Sequence, residues 1–287
     1  MTETARISDK TPEGERDAVA LPQARERKVS AMERIRLMLP TTIAIGIIVL
    51  VWELFNVVTG SPDYVLPPLH DIFYQMGYRA FDKLIPATWV TLQEIVLGFS
   101  YGTIIGLTLG TAIFHSRMLR QAVLPLVIGT QSIPVIAIAP ILIIWFGFGM
   151  APKVIVASLI VFFPVTVTTI SGLASVDRDM INLMESLGAS KWKIFSKVRF
   201  PAALPFIFAG LKNAAAIAAI GAIVGEWVGA HEGLGPVMIA SYAAFKTATT
   251  FAAIFYLAFI SVSMFLLVSY AERRFIPWHF LKAEKQL

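Results

Sequence analysis

Four ionisable residues stand inside long apolar segments of this sequence and are its strongest candidates for chemistry: Glu53, Glu94, Lys212 and Glu226. An unpaired charge at the centre of a membrane helix costs at least about 2.5–3.5 kcal/mol, so such a residue is a functional candidate by default. We predict that Lys212 and Glu226 contact a substrate or a gate. The alternative is that Glu53 and Glu226 reach the outer interface, and that Lys212 extends inward or pairs with a helix terminus.

Two uncharged polar residues, Gln131 and Ser132, are further candidates for a functional site. They stand just before Pro134 in an otherwise apolar segment. Polar side chains beside a broken membrane helix often line a cavity. Hydrogen bonding between neighbouring helices is the equally supported alternative.

Several other kinds of chemistry find no support in the sequence. It has no cysteine, which excludes disulfides, thiol catalysis and cysteine-bound metals. Its four histidines do not stand at a metal-ligand spacing, so we predict no metal site. It has no G-x-x-x-x-G-K-[ST] phosphate loop, and we expect neither enzymatic activity nor a cofactor in this chain. The net charge of +5 is not gathered into a basic patch, which argues against nucleic-acid binding.

The elements that must position these residues are membrane helices. Of the 287 residues, 56% are hydrophobic and only 15% charged, which is too apolar for a soluble domain. A helix needs about 20 mostly apolar residues to cross a bilayer. We therefore predict an all-α, polytopic membrane protein. Its six predicted spans are 40–58, 87–113, 121–146, 152–174, 202–228 and 248–271.

The same pattern predicts the organisation of the chain. Residues 1–39 are rich in charge and are expected to form a disordered tail. The first span and an outer interfacial segment occupy 40–86, where Pro67-Pro68 can begin a short helix. The core follows over 87–271, and 272–287 form a second tail.

Prolines and glycines predict how the spans pack. The third span contains Pro125, Pro134 and Pro140, so we expect a kinked or split helix inside the bundle. Glycines at every fourth position form faces where two backbones can approach, although glycine is also common in membrane helices generally. These glycines are Gly102, Gly106 and Gly110 in the second span and Gly221, Gly225 and Gly229 in the fifth.

The distribution of basic residues predicts the orientation. With the amino terminus inside, the inner segments carry sixteen Lys and Arg residues. The outer segments carry four, namely Arg79, Lys83, Lys153 and Lys246. Because cytoplasmic loops are enriched in Lys and Arg, both termini are expected in the cytoplasm.

The inner segment 175–201 is the most informative part of the sequence. Its first helix should end at Gly188, and Ser190 can cap a second helix over 191–199 that Pro201 closes. Such a helix pair is longer than a connector needs. Its apolar stripe must be buried against the bundle or a partner, which predicts a docking element. The stripe consists of Val176, Met180, Leu183, Met184 and Leu187.

At this segment the sequence resembles the permease subunits of binding-protein-dependent ABC importers. Their signature is Glu-Ala-Ala, three residues, Gly, nine residues and then Ile-x-Leu-Pro. Gly188, Val198, Phe200 and Pro201 stand at the matching offsets.

The first three residues of that signature are different in this chain. Asn182, Leu183 and Met184 stand where Glu-Ala-Ala is usual. The acidic contact that the family makes with its ATPase is therefore either absent here or made by Glu185, one turn further on.

The resemblance extends over residues 45–275. It is carried by Leu66-Pro67-Pro68, Gln131–Pro134 with Ala139-Pro140, Trp145-Phe146-Gly147, Gly225-Glu226 and Glu232–Gly235. These motifs resemble one subgroup, whose members serve nitrate, taurine, alkanesulfonates and pyrimidine precursors of thiamine. The resemblance implies a type I importer permease fold in the bacterial inner membrane.

It also implies partners and a mechanism. Two permease chains, expected as a homodimer, form the pathway for a small anionic or heterocyclic nutrient. Two separate ATPase subunits carry ATP and Mg, and an extracytoplasmic binding protein delivers the substrate. The residues implied in coupling to the ATPase are Asn182, Glu185, Gly188, Ala189, Ser190, Trp192, Phe195, Val198 and Pro201.

An ion-coupled secondary transporter is the main alternative function. Such a protein usually shows an internal repeat, more spans and membrane-embedded acids for ion coupling. Six spans with one elaborate inner loop favour the importer permease.

Overall fold

A computed structural model describes residues 31–60 and 62–279, without the side chains of residues 31–38. These residues form helices joined by short turns, and the described part of the chain contains no strand. The helices are α1 Ala31–Thr59, α2 Leu69–Tyr78, α3 Ile85–His115, α4 Arg117–Thr130, α5 Val135–Phe146, α6 Met150–Ala174, α7 Arg178–Ser186, α8 Lys191–Ile194, α9 Phe200–Gly229, α10 Leu234–Ala243 and α11 Thr247–Phe275, with π-helical turns at Ala80–Leu84 and Phe195–Arg199.

The chain divides into two compact units, and the boundary falls inside α1 between Val51 and Trp52. The described part of the first unit is the stretch 31–51 of this helix. Since α1 begins at Ala31, part of the expected tail 1–39 is helical, and residues 1–30 lie outside the described residues. The second unit holds all the other helices.

Five of the six predicted spans are confirmed in position. Five helical stretches are long and apolar enough to cross a bilayer, and α4 with α5 forms a sixth span if this bent pair is counted as one. The two helices of the pair meet at an angle of 99°. Of the three prolines, only Pro134 stands at the break, while Pro125 and Pro140 lie inside α4 and α5. The segment predicted as the third span is therefore broken next to Pro134, in agreement with the kinked or split helix that its prolines predict.

Helix α6 lies between α3 and α9, and the glycine faces make this packing possible. A Cβ atom added at Gly106 would stand 2.8 Å from the carbonyl oxygen of Phe162, and one at Gly221 would stand 2.6 Å from Cα of Ala157. Any larger side chain would force the backbones apart. The close-packing interpretation of both glycine faces is thus confirmed.

The outer segment forms α2, as Pro67-Pro68 predicts. The indole Nε1 of Trp52 donates to the carbonyl of Pro67 at 3.0 Å, and Glu53 Oε1 accepts from the backbone N–H of Leu69 at 2.8 Å. Glu53 therefore caps the start of α2. Its carboxylate is bound by a backbone N–H of the protein. The alternative, in which Glu53 only reaches the membrane interface, does not require such a partner.

The prediction that Pro201 closes the second helix of the inner segment is wrong. From Lys191 to Gly229 the chain forms one continuous helix. The N–H of Phe200 bonds to the carbonyl of Phe195, five residues earlier, so a widened π-helical turn precedes the proline. Such a turn accommodates the missing N–H and the ring that would break a regular α-helix.

Candidate coupling surface and pathway

The inner segment consists of two short helices joined by a sharply defined turn. Gly188 has φ +75°, a conformation that L side chains rarely adopt. Its N–H bonds to Glu185 O at 2.9 Å, and the N–H of Ala189 bonds to Met184 O at 3.0 Å. These two bonds form a Schellman motif, which ends α7. The predicted helix end at Gly188 is confirmed.

The second helix begins as predicted. The Oγ atom of Ser190 accepts a hydrogen bond from the N–H of Lys193 at 3.3 Å and caps α8. On the other side of the turn, Asp177 caps α7 through the N–H of Asp179 at 3.0 Å. Local capping therefore fixes the starts of both helices.

The apolar stripe of this segment faces away from the rest of the chain. Met180 and Leu183 are about half exposed, while Leu187 and Trp192 are each 73% exposed. No residue of α7 is buried. From the sequence, the stripe is expected to be buried either against the bundle or against a partner. The bundle does not bury it.

Asn182 of the substituted triplet and Glu185, which follows the triplet, stand on the same exposed helix. Asn182 and Glu185 are both exposed and lie three positions apart on α7, so they are neighbours on its surface.

Three coupling candidates are half-buried rather than exposed. Phe195 is half-buried and packs on a cluster that contains Leu173, Ala203 and Ile207, with its ring 5.0 Å from that of His115. Val198 is half-buried, as is Pro201 at the start of α9. Phe195 is thus an anchor between the coupling segment and the spans.

Arg199 adds a second anchor that the sequence analysis missed. Its guanidinium donates to the carbonyl of Leu173 at the end of α6 at 3.2 Å. The same group lies 4.9 Å from the centre of the Phe114 ring at the end of α3. An arginine near the start of an apolar span is too common a feature to have signalled this arrangement.

A cavity of about 320 Å³ lies at the break of the third span. Gln131 lines it, which agrees with its prediction as a pathway residue, whereas Ser132 is exposed in the same turn and is not part of the lining. Asn213 of α9 also lines this cavity, although nothing in the sequence analysis singled it out. The remaining polar residue of the lining is Thr130, and all the other lining residues are apolar.

Lys212 does not line this cavity. Its Nζ atom lies 2.7 Å from Oε2 of Glu272 on α11, and the lysine side chain is 27% exposed. The positive charge of Lys212 is therefore balanced by the carboxylate of Glu272. The partner that the sequence suggested was a helix terminus.

Glu226 is buried, so the alternative that it reaches the outer interface is wrong. Only 1% of its surface is exposed. Its carboxylate accepts from Thr91 Oγ1 at 2.6 Å and from the N–H of Gly235 at 2.5 Å, while Thr91 also accepts from the N–H of Leu234 at 2.9 Å. Glu226 and Thr91 together hold the start of α10 against α3.

A second buried ion pair was also missed. Lys153, counted above among the outer basic residues, is 8% exposed within α6, and its Nζ atom lies 2.7 Å from Oε1 of the fully buried Glu94. Among the described residues, no group of three His, Cys, Asp or Glu side chains could hold a metal ion.

Comparisons with known proteins agree with this geometry. A family model of the binding-protein-dependent transport system inner membrane component matches residues 102–277, more than half of the chain. A probable ABC transporter permease protein of Haemophilus influenzae is 37% identical over 243 residues, which cover 85% of this chain and 98% of that protein. The formylaminopyrimidine transport permease protein ThiX of Halalkalibacterium halodurans is 35% identical over 250 residues, which cover 86% of this chain and 98% of that protein.

The fold has a counterpart among solved structures. A chain of the inward-facing MetNI methionine ABC transporter superposes with a TM-score of 0.59 at 21% identity, covering 69% of this chain and 96% of its own length. This similarity confirms the type I permease fold that the inner segment implies. The chain therefore belongs to the family of binding-protein-dependent transport system inner membrane components, the permease subunits of ABC transporters.

Proposed function

We propose that this chain forms the translocation pathway of an ATP-driven importer and docks a separate ATPase through residues 175–201. The observation that carries this proposal is the exposed apolar surface formed by the stripe of α7 and by Trp192 of α8. Leu187 and Trp192 are each 73% exposed at the tip of a segment whose turns are tightly capped. An ordered apolar surface of this kind is typical of a protein interface, with Trp192 as its aromatic centre.

Polar residues complete the docking surface. Glu185 supplies the acidic contact that the substituted triplet lacks at Asn182. Gly188, Ala189 and Ser190 set the angle between the two helices and so the shape that the ATPase recognises. ATP and Mg are bound by the two ATPase subunits and not by this chain.

The continuous helix from Lys191 to Gly229 supports a mechanism of coupling. A force applied to α8 reaches the membrane span α9 without crossing a flexible loop. Phe195 and Arg199 join the same segment to the ends of α3 and α6. Movement of the docked ATPases therefore tilts α3, α6 and α9 together and switches the pathway between inward-open and outward-open states.

The assembly follows the family. Two copies of this chain form the pathway, an extracytoplasmic binding protein delivers the cargo, and both termini lie in the cytoplasm of a bacterial cell. The buried position of Lys153 supports this orientation, because three basic residues then remain outside: Arg79, Lys83 and Lys246. The cargo is a small anionic or heterocyclic nutrient.

The docking role is tested with a matched pair of tryptophan variants. Trp192→Ala removes the centre of the proposed surface, and Trp145→Ala removes a tryptophan of nearly equal exposure, 72%, at the end of α5. Both variants are co-expressed with the cognate ATPase, and the bound ATPase is measured after purification. We expect Trp192→Ala to weaken ATPase binding by at least about 30-fold, the size of a hot spot of 2 kcal/mol, and Trp145→Ala to leave it unchanged. Equal binding by both variants would contradict the proposal.

The alternative of an ion-coupled transporter is tested in the same preparation. Proteoliposomes that contain this chain alone are given a proton or sodium gradient, and those that contain the complex are given ATP. Uptake that requires both the ATPase and ATP supports the importer. Uptake driven by the ion gradient in the chain alone would establish the alternative.

A further inference from the structure

The cavity at the broken third span has a composition that bears on the cargo. Its polar side chains are the carboxamides of Gln131 and Asn213 and the hydroxyl of Thr130, and the aromatic residues Phe162 and Phe163 also line it. Asn213 stands about 20 Å along α9 from Phe200, near the middle of this long helix. The cavity therefore lies at the depth where a membrane transporter holds its cargo.

No basic side chain of the described residues lines this cavity. Two lysines are buried or mostly buried in the spanning helices, Lys153 in the first turn of α6 and Lys212 within α9. Each has its Nζ atom 2.7 Å from a carboxylate oxygen, of Glu94 and Glu272 respectively. The positive charge of both lysines is therefore already compensated within the protein.

The break itself adds little net charge. The carboxyl end of α4 at Thr130 and the amino end of α5 at Val135 meet there. These two helix ends carry partial charges of opposite sign and similar size, and both residues line the cavity, so together they add no net positive charge.

An anion would lose much of its hydration in this mostly apolar cavity and would gain no opposite charge in return. A neutral cargo would not lose the hydration free energy of a charge on entering the cavity. Carboxamides both donate and accept hydrogen bonds, so Gln131 and Asn213 complement a molecule that presents both kinds of group. The rings of Phe162 and Phe163 can contact the faces of a flat molecule.

We propose that the cargo of this permease is an electrically neutral, planar molecule with hydrogen-bond donors and acceptors, such as a heteroaromatic amine or amide, and that Asn213 and Gln131 are its polar contacts. This inference rests on the proposed import function. It excludes nitrate and the alkanesulfonates, which are anions.

The first experiment compares probes of different charge. Proteoliposomes that hold the complete complex receive the cognate binding protein and either formylaminopyrimidine and riboflavin, which are neutral, or nitrate and ethanesulfonate, which are anions. We expect ATP-dependent uptake of a neutral probe to exceed that of either anion by more than about 100-fold. ATP-dependent uptake of an anion at a comparable or greater rate would overturn the inference while leaving the import function intact. Absence of ATP-dependent uptake of every probe would count against the import function itself.

The second experiment tests the permease separately from the binding protein. Asn213→Asp keeps the size and one acceptor of the side chain but introduces a carboxyl group, while Asn213→Leu removes the hydrogen bonds. With a neutral probe, Asn213→Asp should change the uptake rate by less than about fivefold, the size of one neutral hydrogen bond. Asn213→Leu should lower it more strongly, by about 10-fold or more.

An anionic cargo would give a different pattern. Repulsion by the new carboxylate would lower uptake by about 100-fold in Asn213→Asp, more than in Asn213→Leu, and that order would overturn the inference. The matching pair Gln131→Glu and Gln131→Leu repeats the test on α4–α5 in case the α9 variants fail to assemble. ATPase activity of the purified complex, measured for each variant, identifies any that do not assemble.

Discussion

The Nζ atom of Lys153 lies 2.7 Å from Oε1 of Glu94, and both side chains are almost completely buried between α6 and α3. The two residues are 59 positions apart in the sequence. Each neutralises a charge that would otherwise be isolated inside the protein. The pair therefore joins two helices that the glycine face of α3 already brings into close contact.

Breaking this pair on one side should cost more than removing it altogether. Lys153→Met leaves the Glu94 carboxylate buried without its counter-charge, and we expect a loss of about 3–5 kcal/mol. The double variant Lys153→Met/Glu94→Gln removes both charges of this pair and should recover part of that loss, because the buried Glu226 nearby keeps its carboxylate and loses the attraction of Lys153. Thermal unfolding of the purified protein in detergent measures both. Equal destabilisation by the single and double variants would show that the pairing contributes nothing.

The glycine face of α3 should not tolerate even one methyl group. Gly106→Ala places a Cβ atom 2.8 Å from the backbone of Phe162, and overpacking of this kind typically costs about 1–3 kcal/mol. Gly129→Ala is the control, since nothing lies within 4 Å of its added Cβ. The control should be neutral or slightly stabilising, because alanine favours a helix by up to about 1 kcal/mol over glycine. Unfolding temperatures that rank the two variants in the opposite order would contradict the packing of α3 on α6.

The turn between α7 and α8 should depend on the backbone of Gly188. With φ +75°, Gly188→Ala is strained by roughly 1–2 kcal/mol, whereas Gly188→Asn is better tolerated in this conformation. We expect Gly188→Ala to weaken ATPase binding and Gly188→Asn to retain most of it. Affinity of the purified permease for the ATPase measures the difference. If both variants bind like the original chain, the shape of this turn does not matter for docking.

The ion pair between Lys212 and Glu272 should stabilise the bundle without selecting the cargo. Lys212→Met alone leaves a buried carboxylate and should destabilise the protein by about 3–5 kcal/mol. The double variant Lys212→Met/Glu272→Leu should regain stability and transport within about fivefold of the original rate. A double variant that is stable but inactive would instead place Lys212 in contact with the cargo.

The hydrogen bonds of Glu226 should control the order of α10. A carboxylate accepts from both Thr91 and Gly235, whereas the amide of Glu226→Gln has only one acceptor oxygen for the two donors. We expect faster hydrogen exchange at the amides of Leu234 and Gly235 in this variant, with exchange in α6 unchanged. Unaltered exchange at these two amides would mean that Glu226 does not hold the helix.

Features encoded locally could be predicted from the sequence. The length of each apolar run determined the spans, because a bilayer requires about 20 apolar residues. Pro134 predicted the break in the third span, and Gly188 and Ser190 predicted the turn between α7 and α8, because their effects act on the adjacent backbone. Pro201 misled for a related reason: the π-helical turn that accommodates it depends on hydrogen bonds between residues that carry no such signal.

The tertiary structure alone decided which polar groups meet inside the bundle. Glu94 with Lys153, Lys212 with Glu272 and Glu226 with Thr91 join residues 59, 60 and 135 positions apart. Asn213 likewise lines the cavity because of the orientation of α9 about its own axis. That orientation follows from how three helices pack around small residues, and the hydrophobic pattern of a helix that is apolar on all sides does not encode it. The sequence thus determined a permease of this family, and the packing of its spans decided where the charges lie and which polar side chains line the cavity.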